Sequence, residues 1–296
     1  MLKKYLIAFV LVTASSAAAA GRSGLAFLKI STDARSAAMG SAAVAGGTDA
    51  ATVFWNPAGL ACLTKRQATL SYSHWIQDID HSVAAFAMPT RFGHFGLSAI
   101  LTEVPGLERR DSASAVPLAE FSAQDFTIGL AYARKFSHLS FGIQAKYLYE
   151  KIHVESADGF AVDMGVRYLP QIEGLAFAAS MQNLGWIDEL SNERIDLPRI
   201  GRVGVTYSPG GMNGFRWALA LDFVKIVDEE SHVHAGAEVQ LMEVLFLRTG
   251  YGTGYDEKSW SAGLGLGWGA ARVDYAYVPF SSDLGSAQQF SLTVLF

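Results

Sequence analysis

From Gln67 to the last residue the chain alternates apolar residues with polar or small ones at a period of two, and that rhythm leaves few folds open. Leu139, Phe141, Ile143, Ala145, Tyr147 and Tyr149 point to one side of such a strand. Ser140, Gly142, Gln144, Lys146 and Glu150 point to the other, with Leu148 the exception. Trp260, Ala262, Leu264, Leu266 and Trp268 oppose Ser261, Gly263, Gly265 and Gly267 in the same manner. Phe290, Leu292, Val294 and Phe296 close the chain on the same beat. Fourteen such segments can be marked, at 67–73, 81–91, 94–103, 123–136, 139–151, 158–169, 174–184, 199–208, 215–226, 232–241, 244–252, 259–268, 271–279 and 287–296. Most run about ten residues, the length with which a tilted strand crosses a bilayer.

Composition agrees with a membrane setting. Charged residues make up 17% and hydrophobic ones 50%, against about a quarter charged in an ordinary soluble domain. No stretch after the leader is apolar for long enough to be a membrane-spanning helix, so the hydrophobicity must reside in the strands. A soluble β-sandwich would also alternate. Against it stand the persistence of the pattern, the aromatic residues near strand ends (Tyr72, Trp186, Trp217, Trp260, Trp268, Tyr275, Tyr277) and the terminal Phe296, which resembles the signal read by the barrel insertion machinery. In lipid every backbone group must be paired, so a spanning sheet has to close. The connections after even-numbered strands, such as Phe92-Gly93, Ser137-His138 and Gly269-Ala270, are short. Those after odd-numbered strands include the long stretches Glu103 to Ser122 and Gly185 to Pro198. Short turns at one end and longer loops at the other are the habit of outer-membrane barrels. The expected fold is all-β: a fourteen-stranded antiparallel transmembrane β-barrel over 67–296 in the outer membrane of a diderm bacterium.

Two segments precede it. Lys3 and Lys4, the apolar run Tyr5 to Val12 and the small residues Ala18-Ala19-Ala20 read as a signal peptide over 1–20. Residues 21–66 do not alternate. Asp33 to Met39 and Thr48 to Phe54 are alanine-rich and helical in propensity, with Asp33 and Asp49 placed as caps, and Pro57 breaks the second helix. So short a piece cannot build a large core alone. Lodging inside the barrel as a hatch would solve that, with inward glycines (Gly142, Gly165, Gly236, Gly263, Gly265, Gly267) leaving it room.

At these residues the chain resembles a known family. Phe27-Leu28-Lys29-Ile30 running to Ala34-Arg35-Ser36-Ala37-Ala38-Met39-Gly40, then Asp49-Ala50 to Phe54-Trp55-Asn56-Pro57-Ala58-Gly59-Leu60, is similar to the opening of the PorV/PorQ family, itself related to the FadL long-chain fatty-acid transporters. The resemblance implies an N-terminal hatch with an Asn-Pro-Ala element and a fourteen-stranded barrel. It places the hatch or gating residues at Asp33, Arg35, Gly40, Asp49, Phe54, Trp55, Asn56, Pro57, Ala58, Gly59 and Leu60.

Other chemistry is weakly signalled. His232 and His234 share a face with Glu238, yet alternate residues on one strand stand about 7 Å apart and no further metal ligand is evident; wet lumenal polar residues are the plainer expectation. The run Gly263 to Gly269 keeps strand rhythm, with no following helix to hold a phosphate. Gln144, Lys146, Asp163, Arg167, Arg216, Asp222, Arg248, Arg272 and Asp274 fall on the inward face with mixed sign, so ion pairing within the lumen and with Asp33, Arg35 or Asp49 is expected. Ser73-His74 and His81-Ser82, near Asp78 and Asp80, offer no fixed nucleophile and base, and no enzyme is expected. Cys62, the one cysteine, excludes a disulfide within the chain and shows no charged activator in the sequence. Basic residues do not cluster, which argues against nucleic acid. No cofactor is expected.

Two functions remain. The resemblance implies an accessory role in protein secretion of the type IX kind, binding a translocon or exported proteins through Glu103 to Ser122 and Gly185 to Pro198. The FadL relation implies passive transport of hydrophobic small molecules, with Gly96 and Pro105 marking a strand kink. An apolar tunnel lined by Phe54, Trp55 and Leu60 would favour transport, and a lumen packed shut would favour protein binding.

Overall fold

The computed structural model describes residues 24–296 apart from 48, 111–116, 192, 212–213, 256–257 and 282–283. The leader expected over 1–20 lies outside the described residues. Fourteen antiparallel strands form a closed barrel in sequence order: β1 Gln67–His74, β2 Asp80–Thr90, β3 Gly93–Arg109, β4 Ala119–Phe136, β5 Leu139–Ile152, β6 Glu155–Tyr168, β7 Leu175–Ile187, β8 Ile200–Tyr207, β9 Phe215–Ile226, β10 Ser231–Leu241, β11 Leu245–Gly252, β12 Trp260–Trp268, β13 Ala271–Pro279 and β14 Ser286–Leu295. Closure comes from β1 against β14, in register from Gln67↔Leu295 to His74↔Gln288. That leaves no sheet edge along the barrel wall, the condition lipid imposes.

The period-two pattern lands as expected. Leu97, Leu130, Phe141, Phe160, Leu221 and Leu266 are exposed on the outer face, while Ser71, Gln144, Asp163, Asp222 and Asp274 are buried on the inner one. Trp186, Trp260 and Trp268 stay exposed near strand ends, where aromatic girdles of such barrels sit. Leu148 also points inward and is fully buried, because its neighbours there are Leu25 and Phe27 rather than water.

Strand limits agree with the sequence to within three residues except at one hairpin. The stretch Glu103 to Ser122, expected as a loop, is mostly strand. β3 and β4 stay paired to Arg109↔Ala119, past the points where β2 and β5 stop, at Asp80↔Glu103 and Ala123↔Ile152. Pro105 and Gly106 do not end β3. They sit in a register shift between Val104 and Leu107, with Gly106 at φ 68, the bulge position that tolerates a missing donor and a left-handed residue. Gly96 marks no kink: β3 keeps unbroken register with β2 through it, and Leu60 packs where its side chain would be.

Residues 24–66 occupy the lumen. They form a 3-10 turn at Ala26–Lys29, the helix α1 at Ala34–Ala38, and two more 3-10 turns at Ala50–Phe54 and Pro57–Cys62. Asp33 and Asp49 cap as expected. The last turn is a departure from the sequence reading: Pro57 ends one helix but also opens another, because its missing N–H costs nothing at a first helical position and Asn56 serves as the cap. Leu25 and Phe27 pack near the loop end of the barrel, against Ile187 and Leu197. The segment then descends to Leu63, whose carbonyl faces His94 beside the β2–β3 turn.

Candidate functional site

The site is the seam between residues 24–66 and the inner wall. A segment with so little regular structure leaves many backbone groups without ladder partners, and each must be satisfied where it is buried. The inward polar residues of the strands do this. Ser291 Oγ accepts from Ala34 N at 2.8 Å, and Ser261 Oγ lies 3.0 Å from both Gly40 N and Ala38 O. Asp222 Oδ2 accepts from the amides of Ala43 and Val44, at 2.7 and 2.9 Å. Ser180 Oγ donates to the carbonyl of Trp55 at 2.9 Å. Polar-in alternation therefore supplies a set of anchors.

Within the segment itself Asn56 is fully buried and bonds in both directions. Its Oδ1 accepts from Ala58 N at 3.0 Å, and its Nδ2 lies 3.2 Å from the carbonyl of Val44 and 3.0 Å from that of Val166 on β6. Its side chain rests over Gly165, and the Pro57-Ala58 backbone rests over Gly142; a Cβ at either glycine would overlap them. Met39 and Ala38 lie over Gly236 and Gly263 likewise. Gly265 instead gives space to Arg248 and Asp274, and Gly267 lies by Phe246, away from the segment.

A chain of alternating charges ties segment to wall. Asp49 pairs with Arg272 at 2.6 Å, Arg272 with Asp274 at 2.7 Å, Asp274 with Arg248 at 2.7 Å, and Arg248 with Glu238 at 2.6 Å. Glu238 then holds Arg35 through Nε and Nη2 at 2.9 and 3.1 Å. Three arginines balance three acids, which is what burial requires of charges. Asp33 stands apart: its carboxylate accepts from Ser36 N and from Trp55 Nε1. Burial, and after it the charge of Asp49, pushes its carboxyl above the usual range. Lys146 pairs with Asp163 at 2.8 Å, as mixed lumenal charges should. Arg216 leaves the set, exposed at the turn end near Glu243.

Glu238 is thus taken by two arginines and is not shared with His232 and His234. Those imidazoles stack with Tyr255, which the sequence did not connect to them. Cys62 does have a charged neighbour after all, since Arg167 Nη1 lies 2.5 Å from its sulfur; β6 brings the guanidinium there across 105 residues of sequence. Ser73 is buried inward opposite His81, whose Nδ1 meets Thr102 at 2.8 Å, while His74 sits outside with Asp78 and Asp80; no hydrogen bond joins Ser73 to either imidazole among the described residues. Arg202, also missed, occupies an inward position of β8 between Gly201 and Val203, a parity the alternation does expose.

Two cavities flank the segment and share no lining residue. One of 260 Å³ opens near the loop end, floored by Trp55; one of 540 Å³ lies toward the turn end, beside Arg35 and Glu238. The three hatch side chains expected to line a tunnel part company: Trp55 lines the loop-end cavity, Phe54 a separate small one with Lys146 and Asp163, and Leu60 is fully buried against Ala85, Ala87, Ala131 and Ala133 of the wall.

A protein family described as the type IX secretion system protein PorV matches residues 13–176, which take in the lumenal segment and the strands β1 to β6. The chain belongs to the PorV family. Comparison with curated proteins gives no match. Solved structures share the fold of this PorV-family barrel at low identity. The toluene transporter TbuX of Ralstonia pickettii is 12% identical, with 89% of this chain and 97% of that one covered and a TM-score of 0.59. The deltaS2S3 mutant of the monoaromatic hydrocarbon channel TodX is 11% identical over the same shares, with a TM-score of 0.60. A Pseudomonas aeruginosa FadL homologue is 11% identical over 90% and 98%, with a TM-score of 0.50. Family membership and the closed fourteen-stranded barrel make this an outer-membrane β-barrel related in fold to the FadL-like transporters.

Proposed function

We propose that the chain is an accessory component of protein secretion of the type IX kind, a barrel held in the outer membrane that binds a translocon or exported proteins. The observation that carries this is the filled lumen in a chain whose sequence belongs to the PorV family. An occupied barrel with separated cavities is built as a platform rather than as an open pore. In this account residues 21–66 are a hatch, and Asp33, Arg35, Gly40, Asp49 and Phe54 to Leu60 hold it shut. The turn end faces the periplasm, by the habit of such barrels, and Phe296 is the insertion signal. The β3–β4 hairpin, which stands beyond its neighbours with Leu118 exposed, and the connection after β7 are the surfaces for protein partners.

A second function, passive transport of small hydrophobic molecules, is favoured by one feature: the cavity over Trp55, a hatch residue, in a fold that solved transporters share. Native mass spectrometry of the protein purified in mild detergent separates the two. A large outer-membrane subunit or an exported protein travelling with the barrel supports secretion. An apolar small molecule as its sole companion supports transport.

A further inference from the structure

The turn end of the barrel is charged unevenly, and neither secretion nor transport accounts for this. Lys65 and Arg66 lead into β1, Arg91 stands in the turn between β2 and β3, and Arg134 and Lys135 lie at the end of β4. All five are exposed. They come from three separate places in the sequence, and the strand order sets them along one arc of the rim, from β1 to β5. Neighbouring strands lie about 4.8 Å apart, so the arc runs roughly 20 Å. No aspartate or glutamate occurs at 63–67, 88–95 or 132–142, and none of the five joins an ion pair among the described residues. Phe296, whose amide meets the Arg66 carbonyl at 2.9 Å, brings one terminal carboxylate against five cations. Glu173, in the next turn round, is turned to Gly210, and on the far rim Arg216 and Glu243 pair at 3.6 Å. The chain as a whole carries a net charge of −5, so the arc is no general surplus of basic residues.

These cations stand at the foot of an apolar wall. Arg134 has the outward parity of β4, which it shares with Ile128 and Leu130. Its guanidinium lies 5.3 Å from the ring of Phe136, which meets Phe141 edge-on at 6.3 Å. Arg91 lies 4.5 Å from the ring of Phe92 in the same way. The turn that carries Arg91 is pinned: Thr90 Oγ1 donates to the carbonyl of Gly93, and Tyr132 Oη to that of Phe92, both at 2.7 Å. Further from the rim the outer face is apolar, with Phe95 opposite Tyr132 and Leu97 opposite Leu130. Aromatic rings at strand ends mark the depth of the lipid headgroups. A guanidinium laid on such a ring keeps its N–H groups for phosphate oxygens.

We propose that this arc binds anionic phospholipids of the periplasmic leaflet: their phosphates meet Arg91, Arg134 and the lysines beside them, and their acyl chains lie along Phe95, Leu97 and Leu130. The assignment rests on the turn end facing the periplasm and is independent of whether the barrel serves secretion or transport. A free phosphate ion would leave the apolar wall unused. An acidic protein in the periplasm would meet the rim from below and would not reach Arg134 among its rings on the lipid face.

Native mass spectrometry of the mature full-length protein in mild detergent tests it, with phosphatidylglycerol, phosphatidylethanolamine, lipid A, inorganic phosphate and poly-glutamate as probes. Each cation beside an anionic headgroup is worth about fivefold in affinity, so the two at the end of β4 account for more than tenfold. Phosphatidylglycerol is therefore expected to bind at least tenfold more tightly than phosphatidylethanolamine. Arg134→Gln together with Lys135→Gln is expected to remove most of that preference and leave phosphatidylethanolamine unchanged. Lys65→Gln together with Arg66→Gln, which lie outside the strands, should lower the number of phosphatidylglycerol molecules retained, and this pair carries the test where the first fails to insert. Arg216→Gln on the far rim should keep the wild-type preference, and heat-shifted gel mobility reports the folded barrel. Equal binding of the two phospholipids overturns the proposal. So does wild-type preference in the folded β4 variant, or an equal loss in Arg216→Gln. Lipid A bound more tightly than phosphatidylglycerol through the same residues overturns the leaflet and the sidedness it rests on. Displacement of phosphatidylglycerol by poly-glutamate or by phosphate overturns the lipid in favour of an acidic protein or a free ion.

Discussion

Replacing Asn56 with alanine removes three buried contacts at once, and its cost can be worked from their geometry. The cap on Ala58 N disappears, worth about 1 kcal/mol. The carbonyls of Val44 and Val166 each lose a donor at 3.2 and 3.0 Å, and each loss is worth about 1 kcal/mol. The sum, about 3 kcal/mol, falls on the hatch and only weakly on the wall, because Val166 keeps its place in the ladder with Phe141 and Ala179. Local opening of residues 56–62 should therefore grow roughly a hundredfold while the barrel itself stays closed. Hydrogen exchange by mass spectrometry in detergent reads both. Peptides covering the hatch should lose protection by that factor, and those covering β5 and β6 should change little. Unaltered exchange in the hatch would refute the role given to Asn56. Equal loss across the strands would refute the separation of hatch from wall.

Two further outcomes are expected. Glu238→Gln leaves Arg35 and the fully buried Arg248 short of a charge partner. Breaking a buried pair costs on the order of 3 kcal/mol, so the denaturation midpoint should fall clearly; an unchanged midpoint would show that the charge chain carries little. Phe296→Ala should lower the yield of inserted barrel without lowering its melting temperature, since that ring is 69% exposed and only the backbone is engaged, with Arg66; normal insertion would remove its role as a signal.

The strands were legible because a wall with lipid on one side and a packed lumen on the other forces a strict period of two, and the residues obey it. The β3–β4 hairpin departs from the sequence expectation for a physical reason. Pro105 and Gly106 ordinarily mark a loop, but a bulge absorbs both while Val104 and Leu107 keep pairing on either side. The caps Asp33 and Asp49 were visible, since a side-chain oxygen ahead of a helix needs only local sequence. The partners that fix the hatch were not. Arg35 meets Glu238 across 203 residues and Asp222 meets Ala43 across 179; alternation puts such groups on the inner face but does not say which of them meet. Arg202 shows the same limit. Its inward parity could be read, yet its place over the ring of Trp55 emerges only once the N-terminal segment is folded against β8.

The central claim is that a barrel with a filled lumen serves secretion by binding, and the most direct measurement is where exported proteins go when the chain is removed. Deleting it from its bacterium and quantifying surface and periplasmic proteins by mass spectrometry should show a defined set of exported proteins retained in the periplasm, with other outer-membrane barrels at normal levels. Surface proteins unchanged in amount and location, with loss only of growth on an apolar compound, would contradict the account and transfer the function to transport.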